Sequence, residues 1–409
     1  MNPRHAVQLL GGRGTRPPRK DRATHSVSDL RRAARRRLPR AVFDYLEGGA
    51  EQERTLQDNQ ARYETYRFHP RALTGTSAPT LHKTLFGREL PLPLGLAPTG
   101  YTRLIHRDGE IGVARAAGQA GVPYTAATMA TTALAEIAAS SGGPLWFQLY
   151  VNAEWRVTER LVEDAGQAGC QALLVSVDTQ VAGQRLRDLR NGFTIPPALS
   201  WSALLGIALR PRYWTGLLGG PELEFANFPD MASPSAGGIA EINKSFEAAL
   251  SWQHLERIRK RWTGPLLLKG PLGPADVAHA LASGCDGVYL SNHGGRQLDR
   301  SPHPLDLLLA ARREVGEAAP LLVDSGIRTG ADAVIALALG ADLAMVGRAY
   351  LYGLAAAGER GVRLAISTLA DEMERTMQLL GVGGVAELRR LGTVLVARDG
   401  GRADVGDRG

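Results

Sequence analysis

The chain has 409 residues, 44% of them apolar, enough for one large α/β domain or two smaller ones with a sizeable core. Its two cysteines, Cys170 and Cys285, exclude a disulfide framework and point to a reducing, cytoplasmic setting, and no apolar run is long enough to span a membrane. The net charge of +7 excludes less than it suggests: the first 40 residues hold 12 Lys/Arg against 2 Asp/Glu, whereas the remainder holds 36 against 39, so the basicity belongs to an N-terminal arm and no nucleic-acid partner is expected.

In chain order, residues 1–25 read as a disordered basic arm without the apolar core of a signal peptide, so export is not expected. Ser26-Val27-Ser28-Asp29-Leu30 then looks like a capped helix entry, followed by Leu30, Ala33, Ala34 and Leu38 at helical spacing. Pro39 restarts a second helix carrying Phe43, Tyr45 and Leu46, which Gly48-Gly49 ends.

From Pro91 a rhythm sets in. Eight apolar strand-like runs alternate with Ala-rich helical patterns: Leu92–Pro98, Pro123–Ala127, Leu145–Val151, Ala172–Val177, Pro265–Lys269, Gly287–Leu290, Leu321–Val323 and Leu343–Val346. Several are introduced by one phrase, as in Ala120-Gly121-Val122, Ala168-Gly169-Cys170, Ser283-Gly284-Cys285 and Leu339-Gly340-Ala341, which places Gly between a helix and the next strand. Eight βα units in about 260 residues predict a (β/α)8 TIM barrel spanning 26–395, with 396–409 as a flexible tail. A doubly wound sheet would place a Gly-rich turn after its first strand, and Ala97-Pro98-Thr99-Gly100 is not that turn. One interruption, 184–253, is far longer than an ordinary connection. It carries Trp201, Leu204, Leu205, Ile207, Leu209, Trp214, Leu217 and Leu218 with Arg210 and Arg212 between them, and reads as a lid, a contact between copies, or a peripheral membrane segment through 195–221.

Polar residues stand where the strands end: Thr99, Thr128, Gln148 with Tyr150, Ser176 with Asp178, Lys269, His293, Asp324 and Arg348. In this fold the strand C-termini form the active-site face, and a run of ordinary solvated ends explains eight such positions poorly. The stretch Ser291-Asn292-His293-Gly294-Gly295-Arg296-Gln297-Leu298-Asp299 puts a base and an anion clamp at one strand terminus. The last two strand loops, Asp324-Ser325-Gly326-Ile327-Arg328-Thr329-Gly330 and Gly347-Arg348, combine exposed backbone N–H groups with two arginines, as phosphate binding requires. Lys269 points into the mouth, where it suits the ring of a phosphate-bearing cofactor.

These stretches, together with Phe43-Asp44-Tyr45-Leu46-Glu47-Gly48-Gly49-Ala50, Phe147-Gln148-Leu149-Tyr150-Val151, Val177-Asp178 and Leu268-Lys269-Gly270, resemble the FMN-dependent α-hydroxy-acid oxidase and dehydrogenase family, its mandelate dehydrogenases most of all. The resemblance implies an FMN enzyme that oxidises an (S)-2-hydroxy acid (mandelate-, lactate- or glycolate-like) to the 2-oxo acid. It implies His293 as the base that takes the hydroxyl proton and Asp178 as its stabilising carboxylate, with Arg185 and Arg296 on the substrate carboxylate and Tyr45 and Tyr150 bonded to the substrate. Lys269, Gln148, Ser176, Ser291 and the backbone of Ala97, Pro98 and Thr99 would border the flavin ring. Asp324, with Ser325, Gly326 and Ile327, would meet the ribityl chain, and Arg328, Gly347 and Arg348 the phosphate.

Three positions depart from the family pattern: Ala127 replaces a flavin-touching Ser, Met129 replaces the Trp of glycolate oxidases, and Ser176 replaces a Thr while keeping the hydroxyl. Gly100, shared with mandelate dehydrogenases, would leave space beside the ring. Relatives suggest a homotetramer, peripheral on the inner face of the membrane if the insertion binds lipid. The electron acceptor is expected to be quinone-like, with oxygen, and hence peroxide, as the alternative. A nucleotide dehydrogenase with a cysteine nucleophile is disfavoured because Cys170 and Cys285 precede strands, at the foot of the barrel. A flavin-binding module with little turnover is disfavoured by the complete set of His293, Asp178, Arg185 and Arg296.

Overall fold

The computed structural model describes residues 24–192, 210–220, 223–228, 244–317 and 319–399. The basic arm through residue 23, the segment 193–209 with Trp201 to Leu209, and the chain beyond 399 lie outside the described residues.

Eight parallel strands close a barrel in chain order: β1 (Leu94–Leu96), β2 (Tyr124–Ala127), β3 (Leu145–Leu149), β4 (Leu173–Ser176), β5 (Leu266–Gly270), β6 (Gly287–Leu290), β7 (Leu321–Val323) and β8 (Leu343–Val346), with β8 pairing β1. These are the eight expected runs. Every strand residue is buried, because a parallel barrel is covered on one face by helices and on the other by its own interior. Gly121, Gly169, Gly284 and Gly340 adopt φ of 67°, 71°, 90° and 114°, a left-handed turn that side-chain-bearing residues resist, which is why one phrase recurs before four of the strands. Trp146, Leu174, Leu267, Tyr289, Leu322, Leu343 and Met345 fill the barrel, and Leu85 and Leu90 of the hairpin Lys83–Leu85/Arg88–Leu90 seal its foot.

Three helices precede the barrel: α1 (Val27–Arg37), α2 (Arg40–Glu47) and α3 (Arg54–Glu64). Ser26 Oγ accepts from the Asp29 amide and starts α1, whose buried face is Val27, Leu30 and Ala34. Arg31 of α1 bonds Glu47 of α2 at 2.9 Å, and Glu47 accepts from Tyr352 at 2.9 Å, which fastens both helices to the helix after β8. Residues 396–398, expected in the flexible tail, are part of a strand. Val396–Arg398 forms an antiparallel pair with Tyr66–Phe68 and Val396 is buried, so the ordered body continues past 395.

Within the insertion, α4 (Leu186–Arg190) lies against α2, and α5 (Pro211–Leu218) lies against the barrel. Tyr213 Oη donates to the Leu104 carbonyl at 2.7 Å, and Arg210 Nε donates to that of Leu38 at 3.3 Å. Trp214, one of the apolar residues of the insertion, is buried beside Tyr213, with its indole Nε1 left without a hydrogen-bond partner. Among the described residues no helix is long and apolar enough to cross a membrane.

Candidate active site

The strand C-termini open into one chamber lined by Tyr45, Tyr150, Arg185, Lys269, His293, Arg296, Asp324, Arg328, Gly347 and Arg348, with Ala97, Pro98, Thr99, Ala127, Gln148, Ser325, Gly326 and Ile327. Residues far apart in the chain meet there because most of them follow strands of the same barrel, while Tyr45 comes from α2 and Arg185 from the insertion. Ser176 and Ser291 stand at the ends of β4 and β6, buried beneath it.

His293 follows β6. Its Nδ1 lies 3.1 Å from Asp178 Oδ2 and 3.3 Å from Oδ1, and its Nε2 lies 3.4 Å from Tyr150 Oη. Burial pushes the Asp178 carboxyl up, but the charge and hydrogen bond of His293, with Lys269, outweigh it and hold it below its ordinary value. In the neutral imidazole, a carboxylate at Nδ1 keeps the proton on that nitrogen and leaves the lone pair on Nε2, toward Tyr150 Oη. Gln297 holds the two together: its Nε2 donates to the Asp178 and Val181 carbonyls at 2.7 and 3.0 Å, and its Oε1 accepts from Gly183 N at 3.1 Å.

Arg185 and Arg296 converge on the Tyr45 ring, 6.0 and 5.0 Å from its centroid. Arg296 Nη1 donates to the carbonyls of Tyr45 and Gly48, and Arg185 Nε donates to Asp188 at 2.8 Å. Burial and then the neighbouring Arg185 charge lower the Arg296 pKa. Two guanidiniums this close in a buried wall are a site for an anion, and their planar forks suit a carboxylate.

Deeper in the barrel, Lys269 is buried and its ammonium donates to Ser291 Oγ at 3.1 Å. Gln148 Nε2 and Ser176 Oγ are buried without a hydrogen-bond partner. Orphaned polar atoms of this kind beside a buried cation are what a bound polar ring would satisfy, so the residues present fit a flavin. Ala127 offers no hydroxyl at its position. Asp324 accepts from Tyr289 Oη and Ser325 Oγ, at 2.8 and 2.7 Å.

At the far end, Arg348, expected to hold phosphate, lines the chamber and is also tied to the protein's own backbone. Arg348 donates to the carbonyls of Leu46, Gly294 and Gly48 at 3.0, 2.8 and 2.8 Å, and burial, with Arg296 and Arg328 nearby, drops its pKa to about 9. Its guanidinium is a staple between α2 and the His293 loop. The first N–H groups of the helix it begins (Arg348–Ala357), with Arg328, are left for an anion.

Sequence reasoning missed the chamber's aromatic wall. Phe225 packs on Tyr101 with centroids 5.0 Å apart, and Phe246 packs on Tyr150 at 4.8 Å; both phenylalanines come from the insertion. Tyr101 Oη donates to the Leu223 carbonyl at 3.1 Å, so the insertion closes this side. The insertion has no repeat to say which of its aromatics turn inward. Gly100 also differs from expectation: a methyl there would meet Met129 Cβ at 2.9 Å and its carbonyl at 3.0 Å. Its lack of a side chain serves a close backbone approach rather than leaving open space.

A model of the FMN-dependent dehydrogenase family matches residues 34–394. A protein of Mycobacterium tuberculosis named "Putative L-lactate dehydrogenase" is 44% identical over 385 residues, 91% of either chain. The (S)-mandelate dehydrogenase of Pseudomonas putida is 37% identical over 364 residues, 89% of this chain and 92% of the relative. A crystal structure of a monotopic membrane protein, (S)-mandelate dehydrogenase, superimposes with a TM-score of 0.86 at 35% identity, covering 92% of this chain and 99% of that one. The chain belongs to the FMN-dependent dehydrogenase family: it is an oxidoreductase of 2-hydroxy acids, and its cofactor is FMN.

Proposed function

We propose that this member of the family oxidises an (S)-2-hydroxy acid with an apolar, mandelate-like side chain to the 2-oxo acid, with His293 as the base. The observation that carries this reading is that His293, paired with Asp178, lines the same chamber as two arginines that converge on Tyr45. FMN, when bound, supplies the acceptor, at N5 of its ring, for the hydride that leaves C2 of the substrate.

Arg185 and Arg296 take the carboxylate, each charge-assisted bond contributing roughly 1.5–3 kcal/mol. Tyr45 and Tyr150 border the reacting carbon, and His293 Nε2 accepts the hydroxyl proton while Asp178 stabilises the imidazolium that results. C2 cannot release hydride unless that proton leaves, so a base here is worth about 10²–10⁴ in rate. Lys269, Gln148, Ser176, Ser291 and the Ala97–Thr99 backbone would hold the flavin ring, with Ala127 against it. Asp324, Ser325, Gly326 and Ile327 would hold the ribityl chain, and Arg328 with the Gly347–Arg348 backbone the phosphate. Phe225, Phe246, Tyr101 and Met129 support an apolar substrate side chain.

The acceptor belongs to the same proposal: a quinone-like carrier reached by a homotetramer resting peripherally on the inner membrane face. Its support is the relative described as a monotopic membrane protein. The oxygen-using alternative ends in hydrogen peroxide. Anaerobic stopped-flow reduction with (S)-mandelate, L-lactate and glycolate, followed by reoxidation with air-saturated buffer or a soluble quinone, tests both halves. Mandelate should outpace glycolate by at least about tenfold, since filling an apolar pocket discriminates on that scale. Equal rates for the three acids remove the apolar side chain from the reading. Faster reoxidation by oxygen with stoichiometric peroxide makes the protein an oxidase, and reduction by no acid leaves a flavin-binding module.

A further inference from the structure

The backbone that carries the base does not hold itself. His293, Gly294 and Gly295 lie consecutively at φ of 58°, 64° and 76°. A histidine persists in the left-handed region only where its surroundings over-determine it. Besides Arg348 and Ser325, which bond Gly294, the surroundings include α3, which precedes the barrel and contributes nothing to the chamber lining. A Cβ on Gly295 would meet the Leu56 amide nitrogen at 2.7 Å, and one on Gly326 would strike the Asn59 carbonyl, so α3 is pressed against both the His293 loop and the loop after β7. Asp299 caps the helix by accepting from Thr55 N at 2.9 Å and Gln52 N at 3.1 Å, and the Ser301 amide donates to Thr55 Oγ1 at 3.0 Å.

Between these contacts two side-chain amides face each other. Asn59 Nδ2 donates to Asn292 Oδ1 at 2.9 Å, and Asn292 Nδ2 donates to Asn59 Oδ1 at 2.7 Å. Both residues are 2% exposed. Asn292 immediately precedes the base, and the Asn59 carbonyl accepts from His303 Nε2 at 3.3 Å, which ties the far end of the same loop to the same helical turn. A reciprocal pair has one geometry, and the other bond described for the Asn292 amide, to the Pro302 carbonyl at 3.4 Å, is longer.

We infer that Asn59 is a positioning residue for the oxidation: paired with Asn292, it sets the turn that aims His293 Nε2 at the substrate hydroxyl. This rests on His293 being the base. The bland account, that the pair only satisfies two buried amides, predicts lost stability and nothing more.

The two accounts separate in Asn59→Ala, Asn292→Ala and the double variant, each studied as FMN-loaded full-length protein. The measurements are the limiting rate of anaerobic flavin reduction per bound FMN, the substrate dissociation constant, and the isotope effect with C2-deuterated substrate. Each single variant should lower the limiting rate about ten- to hundred-fold, the scale of a misplaced catalytic group, with an isotope effect at least as large as wild type. The dissociation constant should stay within about threefold, because the arginine clamp is untouched. The double variant should be no slower than the worse single one. An unchanged limiting rate with a lowered melting temperature overturns the inference, as does a double variant that loses the product of both single effects. If Asn59→Ala does not accumulate, Asn59→Asp keeps the shape and the accepting oxygen but loses the donor: slowed reduction at a near-wild-type melting temperature supports the inference, and a wild-type rate overturns it. Failure of the underlying reading is visible elsewhere, as wild-type reduction rates in a His293→Gln variant.

Discussion

The two ends of the barrel treat polar groups in opposite ways. At the foot, Asp342 precedes β8 and accepts from Lys83 at 2.9 Å, Arg312 at 2.5 Å, Arg389 at 2.5 Å and the Leu321 amide at 2.9 Å. Burial raises this carboxyl, but the Lys83 bond and the Arg389 charge outweigh it and hold it low. Cys170 and Cys285 are buried nearby, at the starts of β4 and β6, with burial pushing both thiols up to about 12, where they are inert as nucleophiles. At the mouth, Gln148 and Ser176 carry buried atoms with no partner, Ser325 joins His293 in a left-handed backbone at φ of 70°, and two arginines share a wall. The foot pairs its charges with one another around Asp342, leaving Arg389 Nη2 without a partner, whereas the mouth leaves Gln148 and Ser176 unpartnered where a ligand can reach them. The difference separates residues that hold the barrel from residues that work in it.

Substitutions at the two ends should therefore fail in different observables. The largest effect belongs to His293→Gln. Flavin reduction should fall by about two to four orders of magnitude while FMN content and melting temperature stay near wild type, because a base is removed while the amide of Gln can still donate to Asp178. A variant that reduces its flavin at the wild-type rate reassigns the base. One that loses its fold along with its rate erases the distinction between the two ends.

What was visible in the sequence follows the same division. The βα unit repeats, so Gly121, Gly169, Gly284 and Gly340 announce strands, and the residues that end those strands are at the mouth by construction. His293, Asp178 and Lys269 were legible for that reason, Arg296 from the His293 stretch, and Arg185 only through the family resemblance. Phe225 and Phe246 were not, because the insertion has no period that fixes a face. Asn59 reads as an ordinary polar residue in a helix until Asn292 is placed against it. The staple role of Arg348 was hidden because an arginine beside a glycine at a strand end reads equally well as a phosphate ligand, and only the carbonyls of Leu46, Gly48 and Gly294 decide where its guanidinium goes.

The second prediction takes the foot. Asp342→Asn leaves Lys83, Arg312 and Arg389 without their carboxylate and should cost about 3–5 kcal/mol of stability, as removal of one partner from a buried ion cluster does. The rate of flavin reduction in the remaining holoenzyme should be unchanged. Urea unfolding and stopped-flow reduction on one preparation check both statements. A slowed reduction with unaltered unfolding would mean that the foot communicates with the mouth, contrary to the comparison.

The smallest effect sharpens the comparison from inside the mouth. His303 lies on the same loop as His293 yet is treated as a foot residue: it is 4% exposed, its Nδ1 accepts from the Leu305 amide at 3.1 Å, its Nε2 meets the Asn59 carbonyl, and its ring stands edge-on to Tyr63 with centroids 5.5 Å apart. Burial lowers its pKa to about 4, against 6.5 when exposed. The folded state therefore holds fewer protons than the unfolded state between these values, and stability must rise with pH across that window. The contribution is complete above about pH 6.5 and is lost as pH falls toward 4, with a full size of about 3 kcal/mol from the shift. Chemical unfolding of wild type and of His303→Asn, which keeps a capping side chain but cannot titrate, should give curves of stability against pH that converge as pH falls through this range. Parallel curves would mean that His303 takes up protons alike in the folded and unfolded states, and that closeness to the mouth rather than satisfaction of the ring governs how a histidine there behaves.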